Sequence, residues 1–223
     1  MYEYEKDTRQ AFRNMRKARA YKNGQFQDLS WARIPSWRER VIVQKALADC
    51  GLSPLVKILD IPCGTGILGG ILQEFPNPVV AADISSEMME LARPEYTFSH
   101  FLGFVQLDIT QTPFHPGDFA CIVILGLMHR LPAQIRGKVL AEIAALRPRH
   151  VIISYSIDSL GQRLKQRLIK KLKPSHGSAP VPAAFQDIIR EVTAAGFKVR
   201  RTRQVVPLLS AEMILVLEAE HRI

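Results

Sequence analysis

The side chains best placed to do chemistry are three acidic residues, each at the end of an apolar run. The first, Asp60, follows the run at 56–59 and precedes a turn that contains Gly64 and Gly66. Because glycine has no Cβ, the backbone can turn tightly there and approach a ligand closely. The helix expected next directs its N-terminal amide groups at the same place. A strand, a glycine turn and a helix in this order indicate a nucleotide pocket.

The second acidic residue, Asp83, ends the run at 79–82 and lies 17 residues beyond Gly66. This spacing is close to that at which nucleotide pockets place a carboxylate on the ribose hydroxyls. An ionised carboxylate forms strong, directional hydrogen bonds with such donors. The alternative is that Asp83, or Ser85 beside it, only caps the next helix. We favour the ribose contact because the glycine turn precedes Asp83 at the right distance.

Two classes of protein compete for this pocket. Residues 64–69 match G-x-G-x-x-G, the fingerprint of dinucleotide-binding domains. Asp60 argues against a dinucleotide, because a carboxylate there repels a pyrophosphate but suits a ligand with a cationic end. The chain resembles the class I S-adenosylmethionine-dependent methyltransferases, whose first motif is D-x-G-x-G-x-G and stands here as DIPCGTG at 60–66. Pro62 replaces the first glycine, which keeps the bend but removes one N–H donor.

The third acidic residue, Asp108, follows the run at 104–107. In the resembled family an acidic residue here accepts from the adenine amino group, and the next backbone N–H contacts the ring. The resemblance covers about residues 40–220 and implies S-adenosyl-L-methionine as the cofactor. The methionine end would lie at Asp60 and the glycine turn. The implied cofactor contacts are Asp60, Pro62, Cys63, Gly64, Thr65, Gly66, Asp83, Ile84, Met88, Asp108, Ile109 and Leu125.

His129 and Arg130 follow another apolar run, where the resembled family places groups near the transferred methyl. The pKa of a histidine suits it to take a proton near neutral pH, which makes His129 the catalytic candidate for a hydroxyl acceptor. Alternatively it lines the pocket without doing chemistry. Arg130 either contacts an anionic substrate or faces water. No Asn/Asp-Pro-Pro-Tyr/Phe signature of the DNA adenine methyltransferases is present.

The elements that position these residues alternate between strand and helix. This order predicts an α/β fold with a Rossmann-like, seven-stranded, mostly parallel sheet and helices on both faces. We predict strands at 56–59, 79–85, 104–109, 117–126, 150–156, 197–206 and 212–219, and helices at 36–51, 67–75, 86–93, 132–146 and 181–195. The last two strands have no helix between them, so as neighbours they must pair antiparallel. A C-terminal antiparallel strand pair distinguishes the methyltransferase fold from a dinucleotide domain.

Two segments lie outside this core. We predict that residues 1–35 form an N-terminal helical lid or arm, and that residues 36–223 form the methyltransferase domain. In the arm, the candidate substrate contacts are Tyr21, Trp31 and Arg33, with packing as the alternative role of each. A basic helical insertion is predicted at about 157–182. In one interpretation the leucines of this helix pack inward and its cations face water. In the other, the helix lies on an anionic membrane or its cations bind phosphate groups.

Composition limits the class of protein and its partners. The 223 residues suit one domain with a full core, and the net charge of +9 favours anionic partners. No apolar run approaches the roughly 20 residues of a membrane span. Three cysteines without a C-x-x-C pair predict a reducing cytoplasm, with neither a disulfide nor a metal site. We therefore expect a cytoplasmic protein, with peripheral contact to an anionic membrane as an option.

Together these observations predict methyl transfer from S-adenosyl-L-methionine to a small-molecule or lipid-like, anionic acceptor. A small acceptor is favoured because no separate RNA- or DNA-binding module is visible. The basic charge keeps a tRNA or rRNA methyltransferase as the alternative within the class. An NAD-dependent oxidoreductase rests on G-x-G-x-x-G alone, and an inactive cofactor-binding adaptor is a third possibility. The oligomeric state is left open.

Overall fold

A computed structural model describes residues 15, 16, 18, 19 and 22 and the ranges 33–157, 182–206 and 211–220. Seven strands in these ranges form one sheet. In chain order they are β1 Ile58–Asp60, β2 Val79–Asp83, β3 Phe101–Gln106, β4 Cys121–Ile124, β5 His150–Ser156, β6 Phe197–Gln204 and β7 Glu212–Ala219. Their order across the sheet is β3-β2-β1-β4-β5-β7-β6.

The first five strands run parallel, and the C-terminal pair gives the sheet its antiparallel edge. β7 pairs antiparallel with β5 on one side and with β6 on the other. The last strand of the chain therefore lies between β5 and β6. The predicted fold class, a Rossmann-like and mostly parallel sheet with a C-terminal antiparallel pair, is confirmed.

Helices cover both faces of the sheet, as predicted. The helices are α1 Arg33–Asp49, α2 Gly69–Leu72, α3 Ser86–Ala92, α4 Ala133–Ala145 and α5 Phe185–Ala194, and short 3-10 turns cover Arg93–Glu95 and Met128–Arg130. Buried residues of α4 and α5 form one core cluster with the sheet, and those of α1, α2 and α3 form another. Because both faces are covered, β1, β2, β4 and β5 are buried almost throughout, whereas the edge strand β3 is partly exposed.

Several predicted boundaries were wrong. The strand predicted at 117–126 is limited to Cys121–Ile124, because Gly117 and Gly126 have φ angles of 88° and 69° and belong to turns. β3 begins at Phe101 and not at 104, and it ends before Asp108. The helix predicted at 67–75 is reduced to Gly69–Leu72. Elsewhere the predicted boundaries of β1, β2, β6, α1, α3, α4 and α5 also differ from the observed ones.

From β1, the chain continues to β2 and β3 on one side of the sheet and then crosses to β4 and β5 on the other side. β1 and β4 are parallel neighbours, so their carboxyl ends lie at the same edge of the sheet. In open α/β sheets the crevice for a ligand lies outside the carboxyl ends of the strands at such a switch point. Asp60 is the last residue of β1, and Asp83 is the last residue of β2. The topology therefore brings two of the three predicted acidic residues to the edge of this crevice.

The segments predicted to extend the core are largely beyond the described ranges. The described residues do not include Tyr21 or Trp31 of the predicted arm, or residues 158–181 of the predicted basic insertion. The lid and the insertion therefore stay predictions. Arg33 begins α1, and its side chain is outside the described residues too. Of the helices in the described ranges, none has the length and apolarity needed to cross a membrane.

Candidate cofactor and acceptor site

A cavity of about 310 Å³ lies at the carboxyl edge of the sheet, above the switch point. It is lined by eleven of the twelve residues predicted to contact the cofactor, and by His129 and Arg130. Gly66 is the exception. The lining residues that were not predicted are Glu39, Ile61, Ile67, Leu68, Leu107, Gly126, Leu127 and Glu212. The structure thus brings the predicted site residues from four separate loops into one cavity.

Asp60 is a buried carboxyl group, 1% exposed, at the floor of this cavity. The hydroxyl of Tyr96 donates a hydrogen bond to its Oδ2 atom. Burial raises the pKa of Asp60 to about 7, and the nearby charge of Asp83 adds to this rise, whereas the Tyr96 hydrogen bond opposes it. Near neutral pH the carboxyl group therefore titrates, and a cation in the cavity favours its ionised form.

Asp83 ties the end of β2 to the glycine turn. Its Oδ2 atom accepts from the Gly64 N–H at 2.9 Å, and its Oδ1 atom accepts from the Ser85 N–H at 2.9 Å. Ser85, and not Asp83, caps α3 by accepting from the Met88 N–H. Each oxygen of Asp83 has a second acceptor position, so the carboxylate held in this way can still accept from ligand hydroxyls at the cavity wall.

We expect Asp83→Ala to weaken binding of S-adenosylhomocysteine by about 1.5–3 kcal/mol, the scale of a hydrogen bond to a charged group. Isothermal titration calorimetry measures the change. The matched control is Asp118→Ala, because Asp118 lies at the opposite edge of the sheet beside Lys57 and His115. Equal affinities for the Asp83 variant and the unmodified protein would count against the ribose contact.

The glycine turn has one role that the spacing predicted and one that it did not. Gly64 and Gly66 have φ angles of 54° and 88°, in the region that favours glycine, as a tight turn requires. A Cβ on Gly66 would lie 2.9 Å from Cγ of Glu95, and a Cβ on Gly69 would lie 2.3 Å from the Glu95 carbonyl oxygen. Gly66 therefore faces the 3-10 turn Arg93–Glu95, which explains why it does not line the cavity.

Gly69→Ala tests this close approach. The added methyl group meets backbone atoms of Glu95, which cannot rotate away, so we expect a loss of about 3 kcal/mol in the free energy of unfolding. Gly137→Ala is the matched control, because Gly137 is a helical glycine with open space around its Cβ position. It should gain about 0.5–1 kcal/mol. Urea denaturation measures both changes, and similar effects in the two variants would contradict the packing role.

The wall beyond β3 carries Asp108 and Ile109. Oδ1 of Asp108 accepts from the backbone N–H and the hydroxyl of Thr110, at 2.9 and 2.8 Å. These bonds hold the carboxylate at the cavity while Leu107 and Ile109 provide buried apolar surface beside it. An apolar wall with a fixed acceptor at its edge suits a flat ring that carries an amino group.

Cys63 and Pro62 form the part of the turn between Asp60 and Gly64. The peptide bond between Ile61 and Pro62 is cis, and the Cys63 N–H donates to the Ala82 carbonyl at 2.8 Å. Cys63 is buried, and burial raises the pKa of its thiol. The thiol therefore stays protonated, which argues against a nucleophilic role for Cys63.

The other end of the cavity is formed by the 3-10 turn Met128–Arg130, where His129 and Arg130 lie. Burial, and to a smaller extent the charge of Arg130, lowers the pKa of His129 to about 4. The imidazole is therefore neutral at physiological pH and can accept a proton, but it is a weaker base than the ordinary histidine on which the sequence prediction relied. Arg130 donates through Nε to the Gly126 carbonyl at 3.1 Å, so its guanidinium stays close to the end of β4.

Glu39 and Glu212 form a carboxyl pair in the same cavity that no sequence pattern predicted. Their side chains are hydrogen-bonded to each other, burial raises the pKa of both, and the charge of Glu212 raises that of Glu39 further. The pair therefore binds a proton more readily than two separate carboxyl groups would. Ser154 also bonds Glu212, and its hydroxyl accepts from the Gly126 N–H at 2.9 Å. No spacing signal could have found the pair, because α1 and β7 meet only in the folded sheet.

A family model described as a methyltransferase domain matches residues 58–148, which include β1 to β4 and the loops that form the cavity. Comparison with curated protein sequences finds no match. The chain is similar to the structure of magnesium protoporphyrin IX methyltransferase from Synechocystis PCC 6803 with bound SAH. That comparison has a TM-score of 0.77 and 20% identity over 95% of this chain and 97% of the other.

Two further structures extend the likeness. One is a chain of the complex between the Haloferax volcanii Trm112 methyltransferase activator and a methyltransferase, with a TM-score of 0.68 and 14% identity over 95% of this chain and 99% of the other. The second is human N-acetylserotonin methyltransferase in complex with SAM. Here the TM-score is 0.63 and the identity 14%, over 93% of this chain and 57% of the other. At these identities the likeness establishes the fold.

Residues 58–148 match a methyltransferase domain, and the sheet has the strand order of the class I S-adenosylmethionine-dependent methyltransferase fold. Similar structures hold SAH or SAM, which supports S-adenosyl-L-methionine as the cofactor. The match to a methyltransferase domain favours this class over the oxidoreductase alternative, which rested on the glycine pattern at 64–69. Its third glycine, Gly69, has a packing role here.

Proposed function

We propose that this methyltransferase acts on a small-molecule or lipid-like acceptor that carries an anionic group and reaches the cavity end lined by His129 and Arg130. The observation that supports this most directly is that one continuous cavity joins the acidic residues at the ends of β1 and β2 to these two side chains. A cofactor at the first end and an acceptor at the second would lie in one continuous cavity, as in-line methyl transfer requires.

The residues present fit the cofactor. The cavity volume of about 310 Å³ is in the range of small-molecule sites, which is about 300–1,000 Å³. Asp83 is fixed by two backbone N–H donors with acceptor capacity left for ribose hydroxyls. Asp60 offers a carboxylate to the cationic methionine end, and Asp108 and Ile109 offer an acceptor and an apolar surface to the adenine. These assignments are part of the proposal.

The bound cofactor supplies an electrophilic methyl carbon on a sulfonium. The protein then has to hold the acceptor in line and to manage its proton. Neutral His129 is the group that accepts a proton from an acceptor hydroxyl, because its ring carries no proton on one nitrogen at physiological pH. Half-buried apolar side chains that line the same cavity, such as Leu125 and Leu127, limit access of water that would compete for the same site.

The charge at the acceptor end supports an anionic group on the substrate. Arg130 is the one arginine or lysine that lines the cavity among the described residues. Glu39 and Glu212 lie in the same cavity, and the raised pKa of both carboxyl groups reduces the negative charge that would oppose an anion. A small molecule is further supported by two structural relatives, which are methyltransferases of magnesium protoporphyrin IX and of N-acetylserotonin.

Matched pairs of hydroxyl compounds, with and without a carboxylate or phosphate, test the proposal. Each is incubated with S-adenosyl-L-methionine, and the formation of S-adenosylhomocysteine is measured. We expect turnover with a small acceptor and at least tenfold higher kcat/KM for the anionic member of the pair, the scale of one charge-assisted hydrogen bond. Turnover with tRNA or rRNA alone, and strong salt dependence of RNA binding, would instead support the alternative within the class.

A further inference from the structure

A buried tyrosine lies against the carboxyl group at the floor of the cavity without lining the cavity itself. Tyr96 is 5% exposed and directly follows the 3-10 turn Arg93–Glu95. Its hydroxyl donates to Oδ2 of Asp60, which is 1% exposed at the end of β1. One carboxylate oxygen of the cofactor site is therefore engaged from behind by a side chain that is remote in sequence.

The Tyr96 ring is held in place by aromatic neighbours. The centroids of Phe101, Phe104 and Phe98 lie 4.9, 5.3 and 5.9 Å from that of Tyr96, in tilted and edge-on arrangements. Such arrangements are the favoured geometries of aromatic pairs. Because the ring is packed on several sides, the direction of its hydroxyl toward Asp60 is determined by the core and not by the ligand.

The backbone that carries Tyr96 is also held, by the glycine turn itself. Gly66 and Gly69 approach Glu95 so closely that neither position has room for a Cβ. On the other side, Nζ of Lys22 contacts Glu95 Oε1 at 3.4 Å and the Leu91 carbonyl at 2.7 Å. The same turn that borders the cavity therefore also fixes the distance between Tyr96 and Asp60.

We propose that Tyr96 is a positioning residue of the cofactor site, which holds Oδ2 of Asp60 so that Oδ1 faces the sulfonium-bearing end of the cofactor. The inference rests on the cofactor contact that the proposed function assigns to Asp60. It goes further by naming the group that orients this carboxylate and maintains its charge. It also gives a reason for the glycine at position 69, which leaves room for the turn before Tyr96.

The electrostatic surroundings of Asp60 make this role measurable. Burial and the charge of Asp83 raise the pKa of Asp60 to about 7, and the Tyr96 hydrogen bond lowers it. Burial also raises the pKa of Asp83 and of the other two titratable neighbours, Cys63 and Tyr96, so the thiol and the phenol stay neutral. Asp60 is thus ionised above about pH 7 and neutral below it. A cationic ligand therefore binds more weakly as the pH falls, by up to tenfold per pH unit.

The test is the affinity for S-adenosyl-L-methionine from pH 5.5 to 9 in the unmodified protein and in Tyr96→Phe. The sulfonium charge does not depend on pH, and the titration of the ligand's own α-amino group is the same with both proteins, so the difference between the two profiles reports the protein groups. We expect the midpoint of the Tyr96→Phe profile to lie about one to two pH units above that of the unmodified protein, because the ionised carboxylate loses a donor. Methylthioadenosine, which has neither the sulfonium nor the amino acid, should give the same profile with both proteins.

Phe98→Leu is the matched control, since it perturbs the same aromatic cluster without removing a hydroxyl. It should leave the midpoint unchanged. Superimposable profiles for Tyr96→Phe and the unmodified protein, or an equal shift in Phe98→Leu, would overturn the inference.

A second experiment uses the unmodified protein alone. Binding of S-adenosyl-L-methionine at pH 6 should release close to one proton, which is measured by calorimetry in buffers of different ionisation enthalpy. No proton release would also overturn it, whereas no binding at any pH would overturn the cofactor contact itself.

Discussion

Replacing His129 with alanine should lower kcat by about 100-fold, at the lower end of the range for loss of a general base. The reason is that His129 lies at the acceptor end of the cavity with a neutral imidazole, its pKa being lowered to about 4 by burial and by Arg130. The affinity for S-adenosylhomocysteine should not change, because the ring is not assigned to the cofactor. Steady-state kinetics with a hydroxyl acceptor and calorimetry measure the two quantities.

The pH profile and a control variant separate this role from a lining role. Because the folded-state pKa lies near 4, the neutral ring is present above that value, and activity that depends on it falls as the pH drops through about 4. His115→Ala is the control, since His115 is 87% exposed beside Asp118. If His129→Ala kept full turnover, His129 would only line the pocket, or the reacting atom of the acceptor would carry no proton.

Glu191→Ala should lower the free energy of unfolding by about 3–5 kcal/mol, as expected when one partner of a buried ion pair is removed. Glu191 on α5 accepts from Nε and Nη2 of Arg136 on α4, at 2.9 and 2.6 Å, and Arg136 is only 4% exposed. The variant leaves that guanidinium buried without its carboxylate. Urea denaturation, with linear extrapolation to water, measures the loss.

Asp187→Ala on the same helix is the matched control. Asp187 pairs with Arg190, but both side chains are about half exposed or more, so the loss should stay below about 1 kcal/mol. Replacing the buried pair together, by Arg136→Met and Glu191→Leu, should restore most of the stability. Equal losses in Glu191→Ala and Asp187→Ala would contradict the importance of burial. Because Nη1 of Arg136 also donates to the Leu131 carbonyl, next to the turn of His129, we expect Glu191→Ala to lower activity as well.

The cofactor half of the site was largely readable from the chain, for physical reasons. A buried parallel strand is a continuous apolar run, and its carboxyl end is the next polar residue, so Asp60 and Asp83 were recognisable at the strand ends. Parallel strands joined by helices bring those ends to one edge of the sheet. Asp108 was found in the same way, although β3 ends two residues before it.

The carboxyl pair in the cavity and the support of the site depended on tertiary structure, although His129 and Arg130 were predicted from the sequence. Local sequence patterns determine strands, helices and turns, because hydrophobic periodicity and glycine affect the backbone over only a few residues. In this chain they determined the order of elements, the glycine turn and the three acidic residues. Tyr96 meets Asp60, Glu39 meets Glu212 and Gly69 meets Glu95 only because distant segments pack together, and none of these residue types is distinctive in isolation. The tertiary structure alone decided these contacts, and with them the pKa of Asp60, since burial and neighbouring charges arise only when the chain folds.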